Sequence, residues 1–153
     1  MTVSLDPWGD QWEIRQLIER YANGADRADG EAVAELFADD AELVVWLDPR
    51  DAKPTSTRRG PAEIATAISW MERYHATQHV ISNSVVDIDG DTARGDTRCT
   101  AHHVQDQDND QGPEDRILFI RYSDDFVRVD GSWRFSRREL RVQWISTRRV
   151  EAM

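Results

Sequence analysis

Ile14, Leu17, Ile18, Tyr21, Ala22 and Ala25 recur at steps of three and four, with Glu13, Arg15, Glu19 and Arg20 between them. That spacing predicts an amphipathic helix with one apolar stripe. Asp29-Gly30 breaks the pattern, and Asp29 is placed to N-cap a second helix whose stripe is Val33, Leu36 and Phe37. Ala41 to Leu47 reads as a strand that stops at Asp48-Pro49, and Arg50 to Arg59, mixing Pro, Thr, Ser and charge, reads as a loop. Gly60-Pro61 opens a third helix through Ile64, Ala67, Ile68 and Met71, with Pro61 suited to a first turn.

Beyond His75 the texture changes. Gln78 to Ile88 is rich in Val and Ile, Asp89-Gly90-Asp91 is a tight turn, and Thr92 to Val104 is the partner strand. An acidic surface loop, Gln105 to Asp115, leads to a second hairpin, Arg116 to Val129 and Trp133 to Ser146 around Asp130-Gly131. There is no internal repeat and no linker. Three helices followed by an antiparallel meander make an α+β arrangement, in which a curved sheet with helices over one face leaves a concavity for a ligand.

The 153 residues suit one domain, 1–153, and their 39% apolar content suits a globular core. The 29 acidic residues outnumber the 19 basic ones, and the net charge of −10 argues against nucleic acid or an anionic membrane as partner. A single cysteine, Cys99, leaves no internal disulfide. Met1 to Asp10 lacks the basic-then-apolar order of a signal peptide, and no apolar run has the roughly 20 residues that span a bilayer, so a soluble cytoplasmic protein is expected.

Several residues could carry chemistry. Asp26 lies one turn beyond Ala22 at the border of the first stripe, where a carboxylate needs a partner; without one it is a solvated helix-end acid. His79 opens the first meander strand and shares a face with Ile81 and Asn83. It is either a structural histidine or, if a carboxylate fixes its tautomer, a general base. His102 and His103 point to opposite faces. Parity with Ala93, Gly95, Thr97, Cys99 and Ala101 turns His103 inward, although one β-bulge would exchange the two. Arg138 alternates with Leu140, Val142 and Trp144, which makes it an inner-face cation or, if the face switches there, an exposed one. Trp46, Trp70 and Trp144 either line an apolar pocket or fill the core.

His75 and His79 have the spacing of a helical zinc pair but lack its glutamate, and their segment turns into a strand. Asp106, Asp108 and Asp110 imitate a calcium loop, but the glycine falls late at Gly112 and the twelfth position is Ile117. With no glycine-rich phosphate loop and no nucleophile elbow, neither metal nor cofactor is expected.

Taken together, Ile14 through Tyr21, Asp26, Asp29, Leu36-Phe37-Ala38-Asp39-Asp40-Ala41, Gly60-Pro61 with Ile64, Thr77-Gln78-His79 with Asn83, and Tyr122 with Asp130 through Phe135 resemble the SnoaL-like branch of the nuclear-transport-factor-two-like superfamily. The resemblance covers nearly the whole chain. It implies a single SnoaL-like domain of cystatin-like form: a cone-shaped curved sheet with three N-terminal helices enclosing a pocket. Within the superfamily the chain is most similar to the group of scytalone dehydratase, bile-acid dehydratase and hexachlorocyclohexane dehydrochlorinase. That likeness implies His79 as base, Asp26 as its orienting carboxylate and Tyr21 as a pocket tyrosine. His102 or His103 falls near a second polar group, and Arg138 near a pocket arginine. The surroundings of His102-His103 and the acidic loop depart from those enzymes and leave the substrate open.

The leading expectation is a cofactor-free lyase of dehydratase type, or an isomerase or polyketide cyclase, acting on a small apolar cyclic or polyketide-like molecule. Alternatives are a non-catalytic small-molecule binding protein, the small subunit of a ring-hydroxylating oxygenase, whose partner would be a larger iron-containing subunit, and an epoxide or ester hydrolase. The resemblance also implies a homodimer or homotrimer.

Overall fold

The computed structural model describes residues 6–107 and 112–151. The first five residues, and Asp108 and Asp110 of the acidic run, lie outside the described residues. Helix α1, Pro7–Asp26, starts where Asp6 accepts the Trp8 N–H at 3.2 Å and Pro7 occupies the first turn. Its stripe is buried as its spacing predicts, Ile14 and Ile18 completely. Asp29 caps α2, Gly30–Ala34, by accepting the Ala32 N–H at 3.1 Å.

Helix α2 is one turn shorter than its apolar stripe suggested. Leu36 and Phe37 are buried, but Phe37 opens β1, Phe37–Trp46, with its ring 5.0 Å from that of Phe135. A second difference is β2, Ser56–Arg59, which pairs antiparallel with β1 inside the segment read as a loop. A polar four-residue edge strand carries no apolar alternation to announce it. Helix α3, Gly60–Ser69, tightens into a 3₁₀ turn, Trp70–Arg73, which takes in Met71.

Strands β3 (Ala76–Asp89), β4 (Thr92–Gln105), β5 (Glu114–Val129) and β6 (Ser132–Arg149) form the expected antiparallel meander. Asp130 and Gly131 both have positive φ, 50° and 83°, the primed geometry that a two-residue hairpin requires. The curved, unclosed six-stranded sheet runs β2-β1-β6-β5-β4-β3, with β1 parallel to β6. Extra residues in β3, between Ile81 and Ser84, and in β6, at Ser136 and Gln143, bend the sheet and exchange its faces locally. The helices and the inner face enclose the core. None of the described helices is long and apolar enough to cross a membrane.

Candidate active site

Asp26 ends α1 and reaches the start of β3. Its Oδ1 lies 2.7 Å from His79 Nδ1, and the His79 backbone N–H donates to Oδ1 and Oδ2 at 3.1 and 2.9 Å. The Thr77 hydroxyl adds a bond to Oδ1 at 3.0 Å. Burial alone would push this carboxyl up, but the hydrogen bonds from the His79 ring and backbone and from Thr77 outweigh it and hold Asp26 below the usual carboxylate range. An ionised acceptor at Nδ1 fixes the proton there and leaves Nε2 as the basic nitrogen. The His79 side chain is 7% exposed, and Nε2 has no hydrogen-bond partner among the described residues.

The His79 ring forms part of the wall of a cavity of about 390 Å³ between the inner sheet face and α3. Leu43, Val45, Ile68, Leu118, Ile120 and Leu140 make most of that wall apolar. Tyr21 also borders the cavity, and burial pushes its phenol up to about 12, so it stays a hydrogen-bond donor at neutral pH.

His103 faces this cavity, as the parity of β4 predicts. Its ring stands edge-on to His79 with centroids 5.5 Å apart, and lies 4.8 Å from Tyr74. Burial first, and the neighbouring His79 next, push His103 down to about 4, and its buried Nδ1 has no hydrogen-bond partner among the described residues. His103 is thus a neutral, desolvated imidazole with polar capacity to spare for a ligand.

Other candidates sit elsewhere. His102 points to the outer face, where Nδ1 meets Asp115 Oδ2 at 2.8 Å and Arg148 joins the same oxygen at 3.1 Å. Arg138 faces inward but stays outside the cavity wall. Its guanidinium carbon is 3.7 Å from the Tyr122 ring centroid and 4.2 Å from that of Tyr21, and its Nε is 3.1 Å from Asp124 Oδ1. Both side chains of this ion pair are fully buried, so Arg138 supports Tyr21 from behind and is not open to a ligand. Burial pushes Asp124 up to about 6 against the opposing pull of Arg138.

Of the three tryptophans, only Trp70 borders the cavity. Trp46 lies under Arg141 at 3.9 Å, and Trp144 stacks on Phe119 at 4.4 Å, 58% exposed, because the extra residue at Gln143 turns it to the outer face. Asn83 falls out of step with His79 and Ile81 for the same reason, at the irregularity before Ser84. Sequence reasoning quoted Thr77 only for the family resemblance and gave it no role in the site, although it shares the parity of His79, and it overlooked Arg116, which shares that of Leu118 and Ile120. Tyr74 and Arg73, in a short 3₁₀ turn and its exit, have no periodic signal to find.

The SnoaL-like domain profile matches residues 8–139. An uncharacterized protein of Mycobacterium tuberculosis is 29% identical over 138 residues, covering 89% of this chain and 87% of that protein. Among solved structures, a candidate scytalone dehydratase from Novosphingobium aromaticivorans superposes with a TM-score of 0.78 at 24% identity, over 95% of this chain and 92% of that one. A hexachlorocyclohexane dehydrochlorinase from Novosphingobium barchaimii gives 0.76 at 20% identity, over 99% and 100%. A nuclear-transport-factor-two-like protein with a cystatin-like fold, also from N. aromaticivorans, gives 0.70 at 28% identity, over 91% and 85%. At such identities these likenesses establish the fold.

Proposed function

The chain belongs to the SnoaL-like domain family, and on that premise we propose that it is a cofactor-free acid/base enzyme, a lyase of dehydratase type, with Asp26–His79 as its chemical centre. The observation that carries this reading is a histidine locked to a carboxylate at 2.7 Å with its ring on the wall of an apolar cavity. His79 Nε2 takes a proton from a substrate carbon. The C–H electron pair becomes the new C=C bond, and the neighbouring bond breaks: a C–halogen bond with its electrons leaving on halide, or a C–O bond with its electrons leaving on a hydroxyl that takes the proton back from the His79 imidazolium and departs as water. Asp26 stabilises the imidazolium, as an orienting carboxylate does in other histidine bases. Neutral His103 and the Tyr21 hydroxyl are the groups available to polarise the departing or enolising oxygen. The scytalone dehydratase and dehydrochlorinase names among the structural neighbours favour elimination over isomerisation or cyclisation.

A non-catalytic binding protein is the second reading, favoured by one observation. Asp26 also bonds the His79 backbone and Thr77, so it would clasp α1 to β3 whether or not chemistry occurs. Turnover of cyclic alcohols and halides that carry an acidic C–H beside the leaving group, measured for the wild type, His79→Gln and Asp26→Asn, separates the two. The enzyme reading expects each variant to stay folded by circular dichroism and to lose about 10²–10⁴ in rate. Turnover retained by either variant, or absent from the wild type across the series, refutes it.

A further inference from the structure

Among the described residues the cavity wall contains three arginines and no carboxylate: Arg58 from β2, Arg73 from the 3₁₀ turn and Arg116 from β5. This is unusual in a chain of net charge −10. Arginines elsewhere hold acids: Arg59 pairs with Glu42, Arg121 with Asp96 and Arg148 with Asp115. Arg58, Arg73 and Arg116 have no carboxylate partner among the described residues. Arg58 and Arg73 are exposed and Arg116 is half-buried, so the positive charge collects at the mouth while the interior stays apolar.

Two of the three converge on the candidate site. Arg73 Nη2 donates to the Tyr74 hydroxyl at 2.8 Å, and the Tyr74 ring lies against His103. Arg116 is the direct cross-strand neighbour of His103, and its charge is among the influences that hold His103 neutral. Unpaired guanidinium groups beside low-dielectric walls focus field on the opening, and their planar forks grip carboxylates bidentately.

We propose that the ligand of this cavity is an amphiphilic carboxylate, with a one- or two-ring apolar body inside against Leu118, Ile120 and Leu140 and its carboxylate held at the mouth by Arg73 and Arg116. This deepens the enzyme reading by naming its substrate class and rests on that reading only for the claim that the ligand is turned over. A carboxylate fits better than a phosphate because, among the described residues, no α-helix N-terminus and no glycine-rich loop contributes to the wall.

Calorimetric titration with naphthoate and with naphthamide, its uncharged counterpart of the same shape, tests the proposal. The wild type should bind naphthoate at least about tenfold more tightly at low salt, and about 0.5 M salt should erode the advantage. The double variant Arg73→Gln, Arg116→Gln should lose the preference. Arg121→Gln, on the outer face, should keep it. Equal affinity for the two compounds, binding of neither, a preference that survives the double variant, or tighter binding of naphthyl phosphate than of naphthoate overturns the proposal. His79→Gln should keep the carboxylate preference, so a failed lyase reading and a failed carboxylate site give different results: the first spares the preference, and the second abolishes it while turnover of neutral substrates persists.

Discussion

His103 offers a test that needs no substrate. Its side chain is nearly fully buried, and its pKa falls from an ordinary 6.5 to about 4 in the folded protein. As pH drops, the unfolded chain therefore takes up a proton before the native state does. The stability tied to a neutral His103 is complete above about 6.5 and is lost as pH falls through the folded value of about 4. At 1.36 kcal/mol per unit, the loss is about 2 kcal/mol by about pH 5 and about 3 kcal/mol in full.

The wild-type curve alone would hide this. Asp124 works in the opposite sense, because burial raises its folded value to about 6. Its stabilisation is present at low pH and is lost as pH rises through about 6, and it returns about 1 kcal/mol between neutrality and about pH 5. The perturbation is accordingly His103→Gln, which keeps a polar, uncharged side chain at the cavity wall and leaves Asp124 untouched. Urea unfolding of wild type and variant at several pH values from about 7.5 to about 5 gives a difference in which Asp124 cancels. The reasoning expects the wild type's advantage to shrink by about 2 kcal/mol over that interval. A difference that stays constant with pH refutes the claim that His103 is a desolvated neutral imidazole, and with it the role assigned to that ring beside His79.

Two further predictions concern the frame around the site. Arg138→Met strands the Asp124 carboxylate among aromatic rings and should cost about 3–5 kcal/mol by urea unfolding, while adding Asp124→Leu should restore most of it; a single variant no less stable than the double one contradicts the pairing. Gly30→Ala should destabilise by about 3 kcal/mol or more, because a Cβ at Gly30 would overlap the Ala65 carbonyl where α2 lies on α3; an unfolding midpoint within error of the wild type would show that the helices can part at no cost.

The sequence made the fold legible wherever one period ran unbroken. The stripe of α1 from Ile14 to Ala25 and the small-residue face of β4 from Ala93 to His103 are both found as read, and β4 pairs with β5 without a slip along its whole length. The readings that changed sit where the period is interrupted. Trp144 and Asn83 lie at bulges, and a bulge is set by how two strands accommodate each other, which neither strand's own pattern records. Arg138 had the inward parity assigned to it, but parity does not tell a ligand cavity from a filled interior. The aromatic layer of Tyr21, Tyr122 and Phe135 makes that difference, and it assembles from three distant segments.

The same distinction separates two histidine–carboxylate pairs that are nearly identical in length, His79–Asp26 at 2.7 Å and His102–Asp115 at 2.8 Å. Bond geometry gives no reason to prefer one over the other as a base. Their surroundings do. Asp115 is 2% exposed and also holds Arg148, so its charge is already committed to a cation, and its histidine lies a quarter exposed on the outer face. Among the described residues Asp26 meets no competing cation; its other donors are a backbone amide and a hydroxyl, which hold it ionised without neutralising it. On the proposed reading, an imidazolium at His79 would be the charge that Asp26 balances, with its proton drawn from the ligand in the cavity. A histidine–carboxylate pair is suited to act as a base when the carboxylate's charge is uncommitted and the histidine borders a ligand-sized cavity, and of these two pairs only His79–Asp26 combines the two.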